Sequence, residues 1–169
     1  MPVSWQVYPR SARPHPAALA VVNAFDSAFD SVNSKGHELN SNQVLGHIEP
    51  ALTLAGFEVE KSKLRNDKIS IPVLFGRNGT IEKSFDADAF HPIDGVVLEV
   101  EAGRAVDNNQ FLKDLFQACM MQDAHHLVIC ARLLYRKNDD FDKICRFMET
   151  LYASNRLHLP LKTVMVLGY

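Results

Sequence analysis

Apolar residues recur along the chain at two periods, and the alternation between them outlines the architecture. Leu19, Val22, Phe25, Phe29 and Val32 fall at helical spacing and predict a helix over about 17–32. Ser41 or Asn42 is placed to cap a second helix carrying Val44, Leu45, Ile48 and Leu52. Pro50 lies inside it and removes the bond to the Gly46 carbonyl, so a kink is expected before Gly56 ends the helix. Phe57–Glu60 then begins a strand. Residues 69–75 are apolar, but Pro72 marks them as an edge or irregular strand, and Asn78-Gly79 signals a hairpin turn.

Period-two alternation follows over about 81–90 and 96–102. Asp107 or Asn108 is placed to cap a helix with Phe111, Leu112, Leu115, Phe116 and Cys119 on its apolar side. His126–Tyr135 is almost wholly apolar, as in a strand covered on both faces. A helix over about 140–154 and a strand over 163–167 close the chain. Residues 1–16, with four prolines and two arginines, predict an irregular arm, leaving 17–169 as one domain. The order of elements predicts an α/β fold: a mixed-sheet α/β/α sandwich with an antiparallel meander continued by parallel crossovers.

The meander carries the chemistry. Asp86 and Asp88 alternate on one strand, and Glu99 and Glu101 on the next, so each pair shares a face. The loop Pro92-Ile93-Asp94-Gly95 has turn residues at both ends. A loop of that length sets Asp88 opposite Glu99 and Asp86 opposite Glu101, with Cβ atoms about 5 Å apart. Phe85, Ala87, Ala89, Leu98, Val100 and Ala102 form the other, apolar face. Four like charges this close repel, and a hard cation such as Mg²⁺ would relieve them. The competing reading is a solvated acidic face that guards an edge against aggregation.

Composition narrows the setting. The 169 residues carry a net charge of −2, which gives no general attraction to nucleic acid, so any such binding needs a local basic patch. Lys61, Lys63, Arg65 and Lys68 form the densest one, read either as that patch or as a solvated loop. No apolar run approaches the ~20 residues that span a bilayer, and the N-terminus lacks the apolar core of a secretory signal. Cys119, Cys130 and Cys145 have no C-x-x-C spacing and read as free thiols of a cytoplasmic protein.

The remaining motifs point elsewhere less firmly. His125-His126 reads as a helix-end pair rather than a metal pair, and His91 flanks the acidic turn. Gly76–Thr80 lacks the G-K-[ST] ending of a phosphate loop, and no G-x-S-x-G elbow is present. Trp5 lies in the arm and reads as packing or as a stacking platform.

Over about residues 40–135, the acidic strands, the helix and apolar strand that follow them, and the entry Gly56-Phe57-Glu58-Val59 resemble the PD-(D/E)xK nuclease superfamily, the restriction-endonuclease-like fold. That resemblance implies a metal-dependent DNA endonuclease. Asp88 (or Asp86) and Glu99 would hold Mg²⁺ or Mn²⁺, helped by an acid from the preceding helix, for which Glu49 is the candidate. The third motif position is usually Lys and here is Glu101; some restriction enzymes of the family carry Glu there. Lys113 on the next helix would supply the displaced ammonium. Arg104, after Gly103, would pair with phosphate. Enzymes of the family that cut both strands commonly form homodimers. The alternative is a catalytically silent member of the fold that binds nucleic acid or protein, and a third reading is a metal-binding phosphoesterase acting on something other than DNA.

Overall fold

The chain opens with strand β1 (Ser4–Tyr8), then helix α1 (Pro16–Val32) and helix α2 (Ser41–Leu54). Strands β2 (Glu58–Val59), β3 (Ile69–Phe75), β4 (Ile81–Ala87), β5 (Ala89–His91) and β6 (Val96–Glu101) follow. Helix α3 (Gln110–Met120), β7 (His126–Ala131), helix α4 (Asp140–Ser154) and β8 (Thr163–Gly168) complete the order. This computed structural model describes residues 3–62, 64–103, 105–134 and 139–169. Among them, no helix is long and apolar enough to cross a membrane.

Local chemistry sets the helix ends. Pro16 opens α1, and His15 Nδ1 accepts the Ala17 amide. Helix α2 starts on a capping box: Asn40 accepts the Gln43 amide while Gln43 reaches back to the Asn40 amide. The cap is thus one residue earlier than expected, which frees the Ser41 hydroxyl to accept the Ala102 amide at 3.3 Å. This bond ties the start of α2 to the exit of β6. Helix α2 continues through Pro50 to Leu54. Helix α3 begins after Asn109 in the left-handed region, without the side-chain cap expected from Asp107 or Asn108.

The main sheet has six strands in the order β1-β8-β7-β6-β5-β2. β6, β7 and β8 run parallel; β5 and β2 extend one edge antiparallel, and β1 extends the other. The stretch expected as an irregular arm therefore contains an edge strand, paired from Ser4–Gly168 to Tyr8–Val164. Its short length and the prolines around it hid it from a reading by composition. Helices α1 and α2 cover one face, over Leu98, Val100, Val128 and Met165. Helices α3 and α4 cover the other, over Val97, Leu127, Ile129 and Val166. The expected three-layer mixed α/β arrangement is thus present.

The meander is not the continuous ribbon expected. The four-residue turn does set the expected register for Ala89–Leu98, Phe90–Val97 and His91–Val96. At Asp88 the chain bends, however, and β4 leaves the main sheet to pair with β3 as a separate two-stranded ribbon. The bend also turns the strand over. Phe85 and Ala87 pack on the α3–α4 side, whereas Ala89 joins Leu98 and Val100 on the α1–α2 side. Asp86 consequently does not oppose Glu101.

Candidate active site

β6 is a central strand, buried on both faces, so its acidic side chains do not look into open solvent as a half-buried strand would present them. Alternation puts Leu98 and Val100 against α1 and α2. Glu99 and Glu101 then point the other way, toward α3. They stand at the carboxyl end of β6, where open α/β sheets offer a crevice for ligands. The loop after β6 leads into α3, which brings Lys113 and Asp114 over the same spot. The result is a cleft of about 630 Å³ whose walls include Asp88, Glu99, Glu101, Lys113 and Asp114.

Asp88 enters from the bend between β4 and β5. Its Oδ2 accepts the Val100 amide at 2.8 Å, and its carbonyl accepts the Glu60 amide at 2.8 Å. The side chain thus takes the place of a pairing strand beside β6. This explains why the ladder stops at Ala89 without stranding a backbone donor.

Burial and mutual repulsion set the electrostatics. Glu99 is only 9% exposed; desolvation first, then the carboxylates of Asp88, Asp114 and Glu101, holds its carboxyl well above the usual range. Glu101 is pushed up to about 9 by desolvation, then by a hydrogen bond and repulsion from Asp114. Desolvation raises Asp114 as well, while the bond to Glu101 opposes that rise. Burial and the hydrogen bond to Asp114 thus favour the protonated form of Glu101. The Lys113 ammonium stabilises the charged forms of Glu99, Glu101 and Asp114.

The positions singled out in the sequence divide four ways. Asp88, Glu99, Glu101 and Lys113 meet in the cleft. Asp86 sits on its ribbon wall, where its carboxylate accepts from Lys68 Nζ at 2.7 Å and Ser70 Oγ at 2.8 Å. Glu49 borders separate hollows beside Phe57, Glu58 and Val59, not this cleft; α2 covers the Leu98 and Val100 face of the sheet, opposite the face carrying Glu99 and Glu101. Arg104 lies outside the described residues.

Two acids were missed. Asp114 is 4% exposed, and its Oδ2 has no hydrogen-bond partner among the described residues. It had a signal in the sequence: it falls at the i+3 position between Phe111 and Leu115, in the buried stripe of α3. A carboxylate in a core stripe marks a built polar site. Glu60 also lines the cleft. It continues the alternation of Glu58 but lies past the end of β2, so strand periodicity alone does not place it.

The histidines serve the scaffold. His91 donates from Nε2 to the Ala55 carbonyl (3.1 Å) and accepts the Asp94 amide at Nδ1 (3.2 Å). It pairs with Val96, at the far end of β6 from Glu101. His126 is buried, hydrogen-bonds Thr163 Oγ1 at 2.7 Å, and has the His15 ring 4.5 Å away. Desolvation lowers its pKa to about 4.

No family model matches the chain, and none of the curated proteins matches it. Among solved structures, it is similar to one described as the crystal structure of free BglII. The identity is 10% and the TM-score 0.47, over 99% of this chain and 79% of that one.

Proposed function

We propose that this chain is a metal-dependent DNA endonuclease of the restriction-endonuclease-like fold, hydrolysing phosphodiester bonds in the cleft at the end of β6. The observation that carries the reading is Asp114 Oδ2. It is a buried carboxylate oxygen without a partner among the described residues, in a cleft shared with Asp88, Glu99 and Glu101. Burying so many acids together is costly unless a ligand compensates. Their oxygen donors suit a hard cation, Mg²⁺ or Mn²⁺. Among the described residues, no three His, Cys, Asp or Glu side chains are gathered as a ready metal cage.

Asp88 and Glu99 are the ligands in this account. Bound there, the cation would offset charge on the phosphoryl oxygens and acidify a water. Asp88 is pre-aimed by the Val100 amide, which fixes its Oδ2. Glu101, whose raised carboxyl is hydrogen-bonded to Asp114, must ionise before it deprotonates water. Lys113 supplies positive charge on the α3 side, where a scissile phosphate would face it.

The raised pKa of Glu101 at the position where the family usually has Lys favours a second reading, a catalytically silent nucleic-acid or protein binding module of the same fold. Supercoiled plasmid incubated with purified protein and Mg²⁺ or Mn²⁺ separates the two. Nicking or linearisation that disappears in Glu99→Gln supports the enzyme. Plasmid left intact with either metal leaves the binding module.

A further inference from the structure

The carboxylate cleft occupies one side of the sheet at the carboxyl end of β6. On the other side, a second hollow of about 590 Å³ lies between the loop joining α1 to α2 and the exits of β6 and β7. Strand alternation puts it there. Val128 and Cys130 face α1 and α2, so Arg132, the next residue of that series, opens to the same side, as does Ala102 after Val100. Ala102 and Arg132 directly follow the last ladder pair of the two strands, Glu101–Ala131. The hollow and the cleft share a wall. Ser41 lines the cleft, Asn40 and Ala102 line the hollow, and the Ser41 hydroxyl accepts the Ala102 amide between them.

The hollow is cationic where the cleft is acidic. Arg132, Lys35 and His37 line it against a single carboxylate, Glu38. Lys35, His37 and Glu38 are exposed on the loop, but Arg132 is only 8% exposed. Its position is built. The guanidinium donates to the Leu39 carbonyl and hydrogen-bonds the Tyr169 phenol, which itself donates to the Glu101 carbonyl at 3.4 Å. These partners are neutral, so they orient the guanidinium without cancelling its charge. Asp140, which feels the same charge, makes no hydrogen bond to it. The loop is fixed as well: the Ser34 hydroxyl donates to the Tyr169 carbonyl and accepts the Leu134 amide at 3.1 Å.

We propose that this hollow is a phosphate subsite, and that it holds a backbone phosphate of the same nucleic-acid strand whose scissile phosphate lies in the carboxylate cleft. The chemistry of the ligand follows from the hollow itself. A pre-oriented guanidinium fork matches the oxygens of a phosphate, and Lys35 adds a second charge from the loop. The assignment to a strand rests on the nuclease reading and on the shared wall. Neighbouring strands of a sheet stand about 4.8 Å apart. One strand of nucleic acid carries a phosphate about every 3.4 Å of helix axis. Successive phosphates of one strand therefore reach both the end of β6 and the end of β7.

Two measurements test it, alongside the plasmid assay. The first reads the hollow alone, because without metal the carboxylates of the cleft repel anions. In ¹⁵N–¹H correlation spectra of the metal-free protein, inorganic phosphate is expected to shift the amides of residues 34–40, Ala102 and Arg132 saturably, and acetate at the same ionic strength far less. Lys35→Gln combined with Arg132→Gln is expected to remove those shifts. The second is fluorescence anisotropy with a short labelled DNA duplex in Ca²⁺ buffer across a salt series. The double variant is expected to bind about tenfold more weakly at ~0.1 M salt, with the salt slope lowered by about one, the count of a single phosphate. Lys35→Gln alone, on the exposed loop, is expected to weaken binding several-fold, so the test survives a double variant that does not fold. A lowered melting temperature with wild-type affinity and slope overturns the subsite, because Arg132 is then only a brace between the loop and Tyr169. Absence of phosphate shifts at the hollow in wild type overturns it as well. In both cases plasmid cleavage by wild type leaves the nuclease reading standing. Saturable phosphate shifts with neither duplex binding nor cleavage by wild type overturn the strand assignment and the nuclease reading together, and the hollow then takes a free phosphate compound.

Discussion

Asp88 Oδ2 accepts the backbone amide of Val100 at 2.8 Å, so one candidate ligand also ends the pairing along β6. The two roles separate by substitution. Asp88→Ala leaves that amide unsatisfied and is expected to cost about 1–3 kcal/mol in urea unfolding. Asp88→Asn keeps an acceptor oxygen and is expected to unfold within about 1 kcal/mol of wild type while losing plasmid cleavage. Equal destabilisation by both variants contradicts the assigned hydrogen bond.

Asp86 and Asp88 were equivalent in sequence and are not in the fold. Asp86 is engaged by Lys68 and Ser70 on the ribbon, whereas Asp88 sits beside Glu99. Asp86→Asn is therefore expected to retain cleavage within a few-fold, where Asp88→Asn abolishes it. Matched losses in a plasmid time course would make Asp86 a ligand after all.

Stability should depend on pH in two opposed ways. Glu99, Glu101 and Asp114 have raised folded-state values, so the native chain holds protons that the unfolded chain releases. Their contribution is complete below the ordinary carboxylate range and is lost as pH rises toward about 9, the Glu101 value. His126 is lowered to about 4, so its contribution is present above its ordinary value of 6.5 and is lost as pH falls toward 4. The two windows overlap between about pH 4 and 6.5, and three carboxyls outweigh one imidazole, so metal-free protein is expected to lose stability from mildly acidic pH upward toward about 9. Glu101→Gln should flatten the alkaline limb in a calorimetric pH series and raise stability there, while lowering cleavage. An alkaline limb unchanged by Glu101→Gln contradicts the protonated assignment.

The buried His126–Thr163 hydrogen bond joins β7 to β8 far from the cleft. Thr163→Val is expected to cost about 1–2 kcal/mol in urea unfolding without changing cleavage at permissive temperature. A cleavage defect that follows active-site titration rather than stability would assign this pair a role beyond the scaffold.

Much of this was legible because periodicity reports burial. The four helices, the apolar strand at 126–131 and the closing strand follow directly from it, and turn length set the Ala89–Leu98 register. What failed was nonlocal. Asp88 bends the strand because its side chain finds Val100, a contact that alternation cannot show, and the bend is what separates Asp86 from Glu101. Trp5–Tyr8 pair with the last strand across nearly the whole chain. Asp114 was visible as a polar residue in an apolar helical stripe, but its meaning depended on knowing that α3 packs over the end of β6.

The measurement closest to the central claim is isothermal titration of Mn²⁺ into the metal-free protein at neutral pH, in buffers of different ionisation enthalpy. Saturable uptake with net proton release is expected, because the raised carboxyls must ionise to bind. Asp88→Asn combined with Glu99→Gln is expected to abolish that uptake. Absence of metal uptake by wild type, or uptake that survives both substitutions, contradicts a metal site on Asp88 and Glu99.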